Sequence, residues 1–244
     1  MTKPQDWYNI WFDSPYYHLL YINRDSDEAG EFLTRLIKLL ALEPGCKILD
    51  LACGKGRHSI FLRQLGFDVT GIDLSPSNIS AAANFNQHGL RFLEHDMREP
   101  LPGMKFDIVM NLFTSFGYFE NPEDNAKVLS AVYSELKDGG LLVIDFMNSE
   151  KVIQNLVADE VIIVENVTFF ISRKLENGCI FKTIQVNDDP NLIFQERVQA
   201  LTYHDFNRLL TANGFTLKST YGGYSFEPFD ETNSERLILI AQKN

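Results

Sequence analysis

The chain has 244 residues, 45% of them hydrophobic and 23% charged, which excludes collagen, a disordered chain and a disulfide-stapled miniprotein and leaves one large domain or a domain with an insertion. Twenty-two lysines and arginines against 33 aspartates and glutamates give a net charge of -11, which opposes docking on a nucleic-acid backbone or an anionic membrane. Cys46, Cys53 and Cys179 are widely spaced and lack Cys/His ligand spacing, so neither disulfides nor a zinc site is indicated. No apolar run approaches the ~20 residues that span a bilayer, and Met1 to Trp7 are too polar for a signal core, so the expectation is a cytoplasmic protein.

The first segment, residues 1–30, is crowded with Trp7, Tyr8, Trp11, Phe12, Tyr16, Tyr17 and Tyr21. Rings with polar tips suit a lid over a half-polar ligand, with Tyr16 and Tyr17 as the lid candidates and Trp11 beside them as a substrate contact; an arm packed on the domain is the alternative. From Glu31 to Leu40 the apolar positions share one helical stripe, and Pro44-Gly45 stops the helix. Strands are then expected at Lys47 to Leu51, Phe67 to Ile72, Leu90 to Glu94, Phe106 to Phe113 and Leu141 to Phe146. Helices are expected at Arg57 to Leu65, from Ser75-Pro76 through Ala83, and from Asn121-Pro122 to the Gly139-Gly140 pair. This alternation argues a parallel, doubly wound α/β sheet.

The pattern changes after residue 147. Val161 to Leu175 and Cys179 to Val186 read as strands meeting at the hairpin signal Asn177-Gly178, with a further strand from Leu192 to Ala200. This predicts an antiparallel β insertion over 148–201. Its exposed edges suit either a cap over the substrate or pairing with a second copy. Thr202 with Asp205 resembles a capping box for a helix through Thr211, and strands at Phe215 to Tyr221 and Arg236 to Ala241 close the chain.

The residues that carry chemistry cluster at strand ends. Asp50-Leu51-Ala52-Cys53-Gly54-Lys55-Gly56 places glycines on a strand-to-helix turn, where the backbone can approach a nucleotide-type ligand. The dinucleotide fingerprint would need glycine at 59, where this chain has Ser59. Asp73 and Asp96 follow apolar strands, so both carboxylates project at the same sheet edge, where hydroxyl and amino donors could reach them; helix capping is the bland alternative.

ILDLACGKG at 48–56, GIDLS at 71–75 and EHDM at 94–97 together resemble the ordered motifs of class I S-adenosylmethionine-dependent methyltransferases. The resemblance implies a Rossmann-like, mostly parallel seven-stranded sheet with helices on both faces, formed by 31–147 and 202–244. It implies S-adenosylmethionine held by Asp50, Ala52, Cys53, Gly54, Gly56 and Arg57 around the first motif, Asp73 and Leu74 at the ribose, and Asp96 and Met97 at the adenine. Asn111 becomes a cofactor or acceptor contact, and Phe113, Phe116 and Tyr118 a pocket wall, unless those rings only pack under the sheet. His58 and Tyr118 are the candidate general bases. Histidine spacing gives no metal site. No NPPY-type sequence follows the fourth strand, which with the acidic charge favours a small-molecule N, O or C acceptor. RNA or protein methylation and a non-catalytic cofactor-binding scaffold are the alternatives; the scaffold would have its acceptor cavity plugged by Phe113, Phe116 and Tyr118.

Overall fold

The computed structural model describes residues 7–22 and 26–244; the rest of the expected N-terminal lid, with the signal-peptide reading of Met1 to Asp6, lies outside them. The chain opens with α1 (Trp7–Phe12) and α2 (Pro15–Leu20), the second capped by the Ser14 hydroxyl. Then come α3 (Ser26–Leu39), β1 (Lys47–Leu51), α4 (Arg57–Gln64), β2 (Asp68–Asp73), α5 (Pro76–Ala82), β3 (Leu90–Glu94), β4 (Phe106–Asn111), α6 (Glu123–Glu135) and β5 (Leu136–Met147). A short α7 (Ser149–Gln154) leads into β6 (Asp159–Val164), β7 (Val167–Glu176), β8 (Cys179–Val186) and β9 (Ile193–Gln199). The chain ends with α8 (Tyr203–Ala212), β10 (Phe215–Tyr221) and β11 (Arg236–Lys243).

The main sheet has seven strands in the order β10-β11-β5-β4-β1-β2-β3, parallel except for β11. Successive side chains on a strand face opposite ways, so each strand feeds two cores. Leu49, Val109 and Ile144 pack with Val128 and Leu129 of α6 and Phe206 of α8. Ile48, Val69 and Ile108 pack on the other face with Phe32 and Leu36 of α3 and Leu62 of α4. Strand order reverses between β1 and β4, which opens a crevice at their carboxyl ends, the place where such sheets bind ligands.

A second sheet, β6-β7-β8-β9, is wholly antiparallel. Its inner face packs Phe169, Ile171, Ile184 and Val186 around the fully buried Trp11 of α1, so the N-terminal arm is fixed to the insertion.

Three expectations need correction. Helix α6 ends at Glu135 rather than at Gly139-Gly140: β5 runs through the glycines, with a register shift opposite Phe106–Ile108. A Cβ on Gly140 would lie 2.9 Å from the Lys137 carbonyl, so the glycines serve a bulge in the strand rather than a helix stop. The strand expected over 161–175 is two strands, because Glu165 (φ 54) reverses the chain; its sequence lacks the usual Asn-Gly turn signal. Helix α7 was not anticipated, since six residues are too few to show a period. The capping box forms as expected, with Asp205 N donating to Thr202 Oγ1 at 3.2 Å and Thr202 N to Asp205 Oδ2 at 3.1 Å.

Candidate active site

The turn after β1 is built around buried Asp50. Ser59 Oγ donates to Asp50 Oδ2 at 2.6 Å, so the serine at the third fingerprint position ties α4 to β1 where a glycine could not. Burial, the largest influence, pushes the Asp50 carboxyl up to about 7 against the Ser59 bond, and nearby Asp73 pushes the same way. Gly54 (φ 57) and Gly56 (φ 85) hold left-handed backbone, and a Cβ on Gly56 would lie 2.5 Å from the Phe92 ring. A Cβ on Gly54 would meet nothing within 4 Å, because that backbone faces open space. Cys53 is buried and its thiol pKa is raised by burial, so it is packing rather than a nucleophile.

At the end of β2, Asp73 Oδ2 accepts from Gly54 N at 2.8 Å and Oδ1 from Ser75 N at 2.9 Å. Helix α5 is capped by Ser75, whose Oγ accepts from Asn78 N at 3.1 Å. The capping alternative for Asp73 therefore falls away. Each Asp73 oxygen keeps acceptor capacity beyond its backbone bond, and burial raises its pKa despite bonds from Ser75, Gly54 and Asn78.

Asp96, after β3, is gripped by Arg98: Nη2 donates to Oδ2 at 2.6 Å and Nε to Oδ1 at 3.0 Å. Burial alone would raise the Asp96 carboxyl, but those bonds hold it below the ordinary range. Arg98 in turn pairs with Asp124 at 2.8 Å.

The loop after β4 is strained and pinned from below. Phe113 (φ 58) and Thr114 (φ 60) are consecutive left-handed non-glycine residues, each costing roughly 1–2 kcal/mol. Asp145 of β5, fully buried, accepts from Phe113 N at 2.9 Å, Arg236 Nε at 2.8 Å and Tyr224 Oη at 3.2 Å. Arg236 reaches on to Thr114 Oγ1 at 3.0 Å. Tyr118 donates its hydroxyl to the Thr114 carbonyl.

These groups open on one cavity of about 720 Å³, within the ~300–1,000 Å³ usual for small-ligand sites. It runs from Asp50, Ala52, Cys53, Gly54, Arg57, Asp73, Leu74, Asp96 and Met97 at the sheet edge, past Phe113, Thr114 and Tyr118, to the inner face of the insertion sheet. The sheet-edge end fits a nucleoside with a carboxylate-bearing arm: two carboxylates for hydroxyl and amino donors, an open glycine backbone, Met97 for a ring and Arg57 for an anion.

Several expected site residues are not in the wall. Asn111 is buried beneath it, its Nδ2 3.4 Å from the Leu51 carbonyl and its Oδ1 without a partner among the described residues. Gly56 lies behind the wall and shapes the turn. Phe116 belongs to the core against Phe206, 5.5 Å between centroids. Trp11 is buried, with Nε1 donating to Glu196 Oε1 at 2.6 Å, and Tyr16 packs on Phe194, whereas Tyr17 does line the cavity.

His58 is a poor base. Burial first, and Arg57 second, depress its pKa to about 3, and its Nε2 faces Arg57 Nη2 at 3.3 Å. The sequence reading missed Asp145, Tyr224, Arg236, Arg173, Lys182 and Glu196. Of these only Asp145 carried a signal, as a lone acid inside the apolar run LLVIDF.

Residues 48–140 match the methyltransferase domain family. The chain is 29% identical over 213 residues to a putative methyltransferase of Bacillus subtilis, covering 86% of this chain and 74% of that protein. It is 29% identical over 234 residues to a glycine/sarcosine N-methyltransferase of Aphanothece halophytica, covering 90% and 83%. A crystal structure of an S-adenosylmethionine-dependent methyltransferase from Clostridium acetobutylicum superposes with a TM-score of 0.80 at 22% identity, covering 94% of this chain and 96% of that one, which bears out the fold.

Proposed function

We propose that the chain is a class I S-adenosylmethionine-dependent methyltransferase, a reading supported by the match of residues 48–140 to the methyltransferase domain family, and that it methylates a nitrogen of a small-molecule acceptor held between the Phe113–Tyr118 loop and the insertion sheet. The observation that carries this reading is the continuity of the cavity from Asp73 and Asp96 to Lys182 and Glu196, with room beyond the cofactor end for a second ligand. The N-methyltransferase relative supports nitrogen as the acceptor atom. A plugged scaffold does not fit, because Phe116 is in the core while Phe113 and Tyr118 stand in the wall of an open cavity.

When bound, S-adenosylmethionine supplies an electrophilic methyl group with a neutral thioether to leave. Asp73 would accept hydrogen bonds from the ribose hydroxyls, Asp96 and Met97 would hold the adenine, and Arg57, beside the glycine turn, would pair with the carboxylate arm. The Tyr118 hydrogen is directed to the Thr114 carbonyl, so its oxygen acts as an acceptor for an amine N–H and aims the nitrogen lone pair. The faces of Phe113, Tyr17 and Tyr118 attract positive charge. Holding the reacting atoms in line can supply ~7–11 kcal/mol of the barrier, so orientation is the main task of these residues. Pairing of two copies through the insertion sheet is supported by exposed Val161, Ile163 and Phe170.

The test is incubation with methyl-labelled S-adenosylmethionine and a panel of small amines and matched alcohols. Labelled N-methyl products are expected. Label on oxygen or carbon alone would move the acceptor atom, and no transfer to any small molecule would count against the reading.

A further inference from the structure

Helix α2 joins the two ends of the cavity. Just before it, Asp13 Oδ1 accepts from the hydroxyls of Ser75 and Ser77 at the head of α5, the latter at 2.8 Å, beside the Asp73 loop. Just after it, Tyr21 Oη donates to Glu196 Oε1 of β9 at 2.9 Å. Six helical residues rise only about 9 Å, so a side chain that enters the cavity from the middle of α2 does so between the cofactor end and the acceptor end.

His18 is such a side chain. It is half-buried in the cavity wall. Toward the cofactor end, the charges that bear on it are Lys55 of the glycine turn and Asp13. Toward the acceptor end, its ring lies 5.4 Å from that of Tyr17, the Tyr17 ring 5.0 Å from Phe12, and Phe12 5.7 Å from Tyr118 of the loop after β4. Neither ring nitrogen of His18 has a hydrogen-bond partner among the described residues. The other two histidines in the wall are placed differently. His58 is fully committed to burial beside Arg57, and His95 Nε2 meets the Glu99 carbonyl at 2.8 Å next to Asp96.

Burial first and Lys55 second lower the His18 pKa, against a weaker opposite pull from Asp13, so the ring is neutral at pH 7 and both its nitrogens face the cavity's contents without a competing bond. A simple alkylamine titrates near ~10, as a lysine does, and its nitrogen has no lone pair to offer until a proton leaves.

We infer that His18 is the general base that takes the acceptor's proton. This deepens the N-methylation reading and rests on it. The proton on the acceptor nitrogen passes to a ring nitrogen of His18. The lone pair so freed takes the methyl group from the sulfonium, the N–C bond forming as the S–C bond breaks and its electron pair stays on sulfur. The half-exposed imidazolium then returns the proton to water.

The test follows methyl transfer from labelled S-adenosylmethionine to the amine that the wild-type chain methylates fastest in the panel above, as a function of pH. Wild type should lose kcat/KM on an acidic limb centred below 6.5. His18→Gln should lose that limb and lower kcat by about a hundredfold, the lower end of what a positioned base supplies, with S-adenosylhomocysteine affinity in calorimetry unchanged, which also shows that the variant is folded. In His18→Ala, added imidazole should restore part of kcat, a rescue that lost packing would not give. A His18→Gln kcat within threefold of wild type, an acidic limb that survives the substitution, or a loss that appears as weaker S-adenosylhomocysteine binding overturns the inference while leaving the methyltransferase reading in place. No transfer by wild type to any amine would instead retire the N-methylation reading, and the inference with it.

Discussion

The two ends of the cavity are built on different principles. At the sheet edge, each functional side chain sits at or just past the end of its own strand, and short bonds such as Gly54 N to the Asp73 carboxylate fix it in place. At the acceptor end the groups come from α2, the loop after β4, three strands of the insertion and β11, and they are fixed by long-range side-chain pairs such as Trp11 with Glu196 and Asp145 with Arg236. Local construction makes a site whose ligand can be read from a motif. Long-range construction makes one whose chemistry varies without disturbing the first.

The sharpest break of that contrast is Asp145→Ala. Removing the fully buried partner of Arg236 strands a charge, and loss of a buried pair member costs about 3–5 kcal/mol; urea unfolding should show it, with acceptor turnover falling beyond what S-adenosylhomocysteine binding does. Gly56→Ala comes next, because its Cβ would meet the Phe92 ring at 2.5 Å in left-handed backbone. Overpacking and strain together should cost about 2–4 kcal/mol. Asp73→Ala should leave the fold standing and weaken S-adenosylhomocysteine by about 2–3 kcal/mol in calorimetry.

A pH series sharpens the comparison further. Burial pushes the Asp50 and Glu135 carboxyls up to about 7 in the folded chain. The folded state therefore holds protons that the unfolded chain has released, so stability should fall as pH rises from about 4 to about 7. Asp50→Asn should flatten part of that slope in thermal unfolding, and an unchanged slope would remove Asp50 as its source. The smallest effect is expected at the arm. Tyr17→Leu, which removes a ring face from the cavity wall, should lower kcat/KM by about threefold, the worth of one exposed cation–π contact, whereas Tyr16→Leu, outside the cavity, should leave it alone.

How much of this was legible follows the same division. The strands β1 to β4, β10 and the capping box of α8 were readable because period, caps and turns are local signals. The place of Asp73 and Asp96 in the cavity wall was readable because a carboxylate at the end of an apolar strand has one edge to face. Gly139-Gly140 misled because the same pair serves a strand bulge or a helix stop. Trp11, Tyr16 and Phe116 were indistinguishable from wall residues by type alone, since an aromatic ring suits a core as well as a lid. The row Arg173, Lys182 and Glu196 had no local signature at all: it exists only once β7, β8 and β9 are in register. His58 looked like a base until its burial against Arg57 and Phe113 was known.

The measurement that bears most directly on the central claim is calorimetric titration of the ligand-stripped chain with S-adenosylhomocysteine, with NADH as control and Asp73→Ala alongside. Saturable binding of S-adenosylhomocysteine alone, weakened in the variant, is the predicted result. Binding of NADH instead, or of neither compound, would contradict it.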